Sequence, residues 1–276
     1  MKTFIRQPGN KTKYIRHIIP HIPTDYNTYF EPFAGSGAIF LHLAPKKWII
    51  NDINEDLINL YKTIKDDLPG LVKSIKSFEK RTDFDNISNE EKLLLLQKYM
   101  STFIKLPYNT KRAAYYVILK MAVYMGAILL NGKYVFQGLD MNLVKGGKFY
   151  IFKKTYLDNL EKVNTMLNSN GKIFNTDYKQ VLKKAKPGDF CFIDSPYDEL
   201  NDYQFTYNTS DKDKNDFVEE LYIELQKLDK KNVRWLMTQA DTKQVRKRFK
   251  EYTIVTFPVF RGFSNTYKNE LIIKNY

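Results

Sequence analysis

The sequence predicts an α/β protein built on a largely parallel sheet. Three observations carry this. Short runs rich in Ile, Phe and Val recur along the chain, and amphipathic helical segments separate most of them. The third is length: 276 residues suffice for one large domain, or one domain with a sizeable insertion. A chain of that size buries roughly three quarters of its unfolded surface, so it folds without disulfide or metal staples.

Taken in order, residues 29–33 (Tyr-Phe-Glu-Pro-Phe) read as the first strand and lead into a glycine turn, with a helix over 37–43. Trp48-Ile49-Ile50 centres a second strand over 47–52, followed by a helix over 55–64. Residues 172–175 read as a third strand, before a helix over 179–184. The fourth, 189–194, holds the continuous apolar run Phe190-Cys191-Phe192-Ile193 and precedes a helix over 213–228. A fifth strand spans 233–238, a helix 242–251, and strands over 252–256 and 270–273 close the series.

One interval breaks the alternation. Residues 66–168 read as helix and loop, then as a Gly-rich basic stretch, and about a hundred residues far exceed what a crossover needs. The span 66–168 is therefore assigned to an inserted subdomain, and 1–65 with 169–276 to the sheet-bearing domain. Between Thr102 and Lys154 nine basic residues face one acidic residue, Asp140, with many Tyr and Phe between them. Basic and aromatic residues interleaved in this way are the footprint of a nucleic-acid surface; the plainer alternative is a solvated face over core aromatics. The net charge of +13 for the whole chain points the same way. A second basic run, Lys243 to Lys250, reads as the charged face of a helix.

Several classes are excluded. A hydrophobic fraction of 43% rules out wholesale disorder. The single cysteine, Cys191, rules out an intramolecular disulfide and a cysteine-based zinc cluster. His17, His21 and His42 form no credible metal set, so no metal is expected. The longest apolar run, Met121 to Leu130, has 10 residues, too few to span a bilayer. The opening residues lack the apolar stretch of a secretory signal, so a cytoplasmic location is expected.

Three motifs carry chemistry. Glu31-Pro32-Phe33-Ala34-Gly35-Ser36-Gly37-Ala38 follows the first strand and opens a helix. Its glycines admit a ligand close to the backbone. No Gly-Lys-Ser/Thr follows, which excludes a P-loop, and Phe40 stands where a dinucleotide fingerprint wants its third glycine. Glu31 is placed to face a cation. Asn51-Asp52-Ile53-Asn54 ends the second strand, where a carboxylate commonly takes ribose hydroxyls; a helix N-cap is the other reading of Asp52. Together Glu31 and Asp52 suggest a nucleoside ligand carrying positive charge, a description that S-adenosylmethionine meets. Asp194-Ser195-Pro196-Tyr197 follows the buried fourth strand, either as a reactive edge or as a surface turn.

In this order the motifs resemble those of the Dam-like, D12 class of DNA adenine-N6 methyltransferases, nearly end to end. Phe4-Ile5-Arg6-Gln7-Pro8-Gly9-Asn10-Lys11 is similar to the family's opening signature, and Glu31 to Ala38 and Asn51 to Asn54 to its donor-binding motifs. Residues 131–149 resemble the hairpin of its target-recognition subdomain. Asp194 to Tyr197 stands at its catalytic tetrapeptide, with Phe205-Thr206-Tyr207 beyond it, and Glu270 to Tyr276 is similar to its last strand. There are departures. Asn10 replaces a glycine of the opening signature and Ser195 a proline of the tetrapeptide. Asp140 and Met141 stand where GATC-specific members carry a basic residue.

The resemblance implies a Rossmann-like methyltransferase sheet, mostly parallel and seven-stranded, with a mainly helical target-recognition insertion that contains a β-hairpin. It implies methyl transfer from S-adenosyl-L-methionine to N6 of a flipped adenine in double-stranded DNA, at a site other than the standard GATC, by a protein expected to be a monomer, with a dimer as the alternative. Catalysis would fall to Asp194, Ser195, Pro196 and Tyr197. Donor binding would fall to Gln7, Lys11, Glu31, Phe33, Gly35, Gly37, Asp52, Asp177, Tyr178 and Asp194. DNA contacts would come from Lys133, Gln137, Lys145, Lys148, Lys153 and Lys154. Competing readings are a degenerate member that binds DNA without turnover, and a methyltransferase acting on RNA or on protein glutamine.

Overall fold

The computed structural model describes residues 1–130, 133–197, 211–261 and 266–276. An N-terminal strap leads through a 3-10 turn, Lys11–Tyr14, into helix α1 (Ile15–Ile18). Next come β1 (Tyr29–Glu31), α2 (Ala38–Leu43), β2 (Lys47–Asn51) and α3 (Glu55–Asp66). A helical interval follows: α4 (Leu68–Arg81), α5 (Asn89–Phe103) and α6 (Thr110–Ala122), a small ladder of β3 (Leu129–Leu130) with β4 (Lys133–Tyr134), then α7 (Met141–Val144) and α8 (Lys154–Leu167). The chain returns with β5 (Asn170–Phe174), α9 (Tyr178–Leu182), β6 (Phe190–Ile193), α10 (Asp211–Lys230), β7 (Arg234–Ala240), α11 (Lys243–Arg248), β8 (Thr253–Arg261) and β9 (Thr266–Lys274).

Seven strands make one sheet in the order β5-β2-β1-β6-β7-β9-β8. From β5 to β7 neighbours run parallel, whereas β9 is antiparallel to both β7 and β8. The sheet is therefore mixed, a parallel body with an antiparallel hairpin at one edge. The β8–β9 connection is too short for a crossover, which forces that sense. Both hairpin strands outrun their predicted spans: the ladder continues from Phe257–Glu270 out to Arg261–Thr266, past Pro258 on β8 and through the largely polar residues 266–269 on β9. The chain steps from β1 to β2 on one side and later to β6 on the other. The carboxyl ends of these three strands therefore diverge around a crevice, the place where open α/β sheets bind ligands.

Local chemistry sets the helix starts. Asn54 caps α3 by accepting from Leu57, Ser88 and Glu91 form a reciprocal capping box on α5, and Asn109 caps α6. The core lies on both faces of the sheet. On one face Phe4, Tyr29, Trp48 and Leu57 belong to the same apolar cluster as Leu96, Tyr116 and Val163, so the helices between β2 and β5 share a core with the sheet. On the other, α9 and α10 cover Cys191, Ile193, Trp235 and Met237. The strap is clasped to α8. The Asn159 side chain bonds both the N–H and the carbonyl of Lys2, and the Tyr156 hydroxyl donates to the Phe4 carbonyl at 2.8 Å.

Two readings of the basic interval are corrected. Arg112 and Lys120, counted as surface charge, are buried at 5% and 4% exposure. Helix α6 is sequestered from Arg112 through Ala122, and Arg112 forms a buried ion pair with Asp56 of α3 and donates to the Phe103 and Leu106 carbonyls. The hairpin predicted over 131–149 is also narrower: its ladder pairs Leu129 with Tyr134 and Leu130 with Lys133, and α7 stands within the rest of that span. Tyr134 anchors that ladder by donating to Asp56 at 2.5 Å. Among the described residues no helix is long and apolar enough to cross a membrane.

Candidate active site

The crevice at the carboxyl ends of β1, β2 and β6 is a cleft of about 720 Å³. Its floor begins with Glu31, the last residue of β1, which is 2% exposed and accepts from the Tyr29 hydroxyl at 2.6 Å and the Phe40 amide at 3.1 Å. Burial pushes the Glu31 carboxyl up to about 8, even though the Tyr29 and Phe40 bonds favour its ionised form; Asp194 and Asp52 add to the rise.

The turn after β1 requires its glycines. Gly35 and Gly37 have φ of +49° and +67°, and a Cβ on Gly37 would come within 2.5 Å of the Tyr61 hydroxyl. That hydroxyl donates to the Gly35 carbonyl at 3.1 Å and fixes the loop. Asp52, just past β2, accepts from the amides of Gly35 and Asn54, each at 2.9 Å. Asn54 is thus the N-cap of α3, and Asp52 faces the glycine loop. Burial raises the Asp52 pKa against those two bonds. The Asn51 side chain staples the ends of β1, β2 and β5, donating to the Pro32 and Thr176 carbonyls and accepting from the Thr176 amide.

Opposite stands the tetrapeptide after β6. Oδ1 of Asp194 takes the Lys11 ammonium at 2.7 Å and the Thr238 hydroxyl at 2.7 Å, the latter from β7. Lys11 is buried and sits 4.7 Å above the Tyr197 ring. Burial opposes its charge, but Asp194, Tyr197 and Glu270 outweigh that and hold its pKa well above the ordinary lysine value. The Tyr197 hydroxyl donates to Glu270 of β9 at 2.7 Å, and Gln239 Nε2 reaches the Pro196 carbonyl at 3.4 Å. Ser195 is buried, and among the described residues its hydroxyl has no hydrogen-bond partner.

The cleft thus gathers Gln7, Lys11, Glu31, Phe33, Gly35, Asp52 and all four residues of the tetrapeptide in its lining. Asp177 and Tyr178 stand behind it. Asp177 is exposed and caps α9, while Tyr178 is buried against Phe33, ring centroids 4.9 Å apart. From the interval between β2 and β5, Tyr124, Met125, Gln137 and Asp140 reach the rim. Lys133, Lys145, Lys148, Lys153 and Lys154 are exposed, and Lys154 pairs with Asp158. Asp140 is paired with Arg6 of the strap. Phe205-Thr206-Tyr207 lies outside the described residues.

Sequence reasoning missed Thr238, Lys120 and the acceptor role of Glu270. Thr238 had a signal, since it ends the predicted fifth strand beside the fourth. Lys120, which donates to Gln7 Oε1 at 2.8 Å, lies in a stretch apolar on all sides, a mark of full burial.

Comparison with known proteins bears on this arrangement. A family model described as "D12 class N6 adenine-specific DNA methyltransferase" matches residues 8–261. The Type II methyltransferase M1.LlaDCHI of Lactococcus lactis subsp. cremoris is 28% identical over 283 aligned positions, covering 100% of this chain and 96% of its own. The Type II methyltransferase M.MjaIII of Methanocaldococcus jannaschii is 29% identical, covering 87% of this chain and 84% of its own. A DNA adenine methylase of Serratia marcescens is 29% identical, covering 72% of this chain and 68% of its own.

Proposed function

Because the chain belongs to the D12 class of N6 adenine-specific DNA methyltransferases, we propose that its cleft joins S-adenosylmethionine to an adenine flipped out of duplex DNA and methylates N6. The observation that carries this reading is the state of Asp194. Lys11 and Thr238 both engage Oδ1, and among the described residues Oδ2 has no hydrogen-bond partner.

The residues of the cleft fit the donor. Glu31 offers a buried carboxyl to an ammonium, Asp52 a fixed carboxylate to ribose hydroxyls, and the bare backbone at Gly35 allows close approach. When bound, the donor supplies a methyl group made electrophilic by a cationic sulfur.

The work left to the protein is activation of the acceptor nitrogen. The N6 lone pair of adenine is conjugated with the ring, so the amine is a poor nucleophile. Asp194 Oδ2 accepts one N6–H and the Ser195 carbonyl the other, which draws the nitrogen toward sp³ and stabilises the positive charge that develops there. The second acceptor is backbone, so Ser195 serves where relatives carry proline. Pro196 stiffens the turn. Tyr197, its hydroxyl held by Glu270, offers its ring to the extruded base, and flipping costs a few kcal/mol. Alignment of the two substrates supplies much of the rate.

The span 66–168 then acts as the target-recognition region. Lys133, Lys145, Lys148, Lys153 and Lys154 contact phosphates and Gln137 a base edge. Asp140, paired with Arg6, is unsuited to the role of the basic residue found in GATC readers.

The test is incubation with unmethylated duplex DNA and labelled S-adenosylmethionine, followed by nucleoside mass analysis. Labelled N6-methyladenine is expected. Donor binding without any labelled base, on any duplex offered, would leave a DNA-binding protein without turnover.

A further inference from the structure

Lys120 is a charge in an unusual place. It lies in α6, is 4% exposed, and among the described residues forms no ion pair. Burial pushes its pKa down to about 7, with Asp52 opposing that fall. A leucine or methionine at such a position is commonly as stable as a buried charge or more so. Stability alone therefore does not account for a lysine there.

Its one hydrogen-bond partner among the described residues is Gln7 Oε1, at 2.8 Å. Gln7 belongs to the strap and lines the cleft with Gly35 and Asp52. Its Cγ stands 3.9 Å from where a Cβ on Gly35 would lie. An amide has one accepting and one donating end; Lys120 donates to Oε1 here, and in its ammonium form it can only donate. The contact therefore decides which way the amide points: Oε1 toward α6, Nε2 away from it. Nε2, with its two N–H donors, has no partner among the described residues.

We propose that Lys120 is a positioning residue of the methyl-donor site, holding the Gln7 amide so that its N–H groups are presented to an acceptor oxygen of the donor. This rests on the reading that the cleft holds S-adenosylmethionine. It ties α6, an element of the target-recognition region, to the donor side of the reaction.

The experiment titrates S-adenosylhomocysteine into the full chain by calorimetry, for wild type, Lys120→Met, Gln7→Leu and the double variant. Each single change is expected to weaken binding by about tenfold, the worth of one such hydrogen bond. The double variant should be no weaker than Lys120→Met alone, since both changes remove one device. In turnover the loss should appear in KM for the donor, with kcat within about twofold. Gln7→Glu, which pairs with Lys120 but offers the ligand only acceptors, should match Gln7→Leu. Wild-type affinity in Lys120→Met, or losses that add in the double variant, would overturn the proposal. If Lys120→Met does not fold, the two Gln7 variants decide, and undiminished affinity in both overturns it. A wild-type protein that does not bind the probe overturns the donor site itself, and this proposal with it.

Discussion

The Lys11 ammonium and the Asp194 carboxylate meet at 2.7 Å, on the one carboxylate oxygen that Thr238 also engages. Crowding both donors onto Oδ1 fixes the side chain and turns it into a directed acceptor. A free carboxylate would present either oxygen, in many rotamers.

Asp194→Ala is therefore expected to lower methyl transfer by at least roughly 10²–10³-fold, the scale of losing one aimed polar partner at a reacting centre. The fold should persist, because Lys11 keeps Glu270 and the Tyr197 ring nearby. Circular dichroism checks the fold and single-turnover kinetics the chemistry. Near-normal turnover would remove Asp194 from the mechanism.

Glu31 predicts a pH dependence. Its folded pKa is about 8, against 4.5 for an ordinary glutamate. Across that window the folded protein holds a proton that the unfolded chain has released, so without donor stability falls as pH rises from 4.5 through 8. The stability gain of Glu31→Gln over wild type should grow across the same window, as read by thermal unfolding. A donor ammonium placed against Glu31 favours its ionised form. Binding at pH 7 should then release a proton, seen as heats that differ between buffers of different ionisation enthalpy. Equal release from Glu31→Gln would sink the pairing.

The Ser195 hydroxyl, without a hydrogen-bond partner among the described residues, carries a penalty. Replacing it by a methyl removes a buried polar atom whose desolvation costs about 1–3 kcal/mol. Ser195→Ala should therefore raise stability by about 1 kcal/mol in urea titration, with transfer rate retained because the backbone carbonyl remains. A rate loss of tenfold or more would give the hydroxyl itself a role.

Neutralising Lys145, Lys148, Lys153 and Lys154 together should weaken DNA binding and flatten its salt dependence. If all four meet phosphates, the slope of log K against log salt falls by roughly two to four. An unchanged slope would take this face out of the DNA contact.

The parts of this molecule readable from sequence are those governed by local pattern. The runs around Trp48-Ile49-Ile50 and Phe190 to Ile193 announce buried parallel strands because no polar residue interrupts them. Glu31, Asp52 and Asp194 stand out because each ends such a run. What stayed hidden depends on register between distant segments. Nothing near Tyr197 in sequence says that Glu270 will face it, and nothing near Gln7 says that Lys120 will reach it. Charge counting failed for Arg112 because a guanidinium satisfied by Asp56 and two carbonyls is compatible with the interior.

The clasp of the strap on α8 ties the cleft to contacts between segments remote in sequence. Contacts between segments this far apart in sequence form late, after the local turns and helices. A chain with its glycine loop closed but its strap undocked has Glu31 and Asp52 in place and lacks Lys11 and Gln7. On the proposed reading of the cleft, methyl transfer therefore requires segments more than 150 residues apart in sequence to have met.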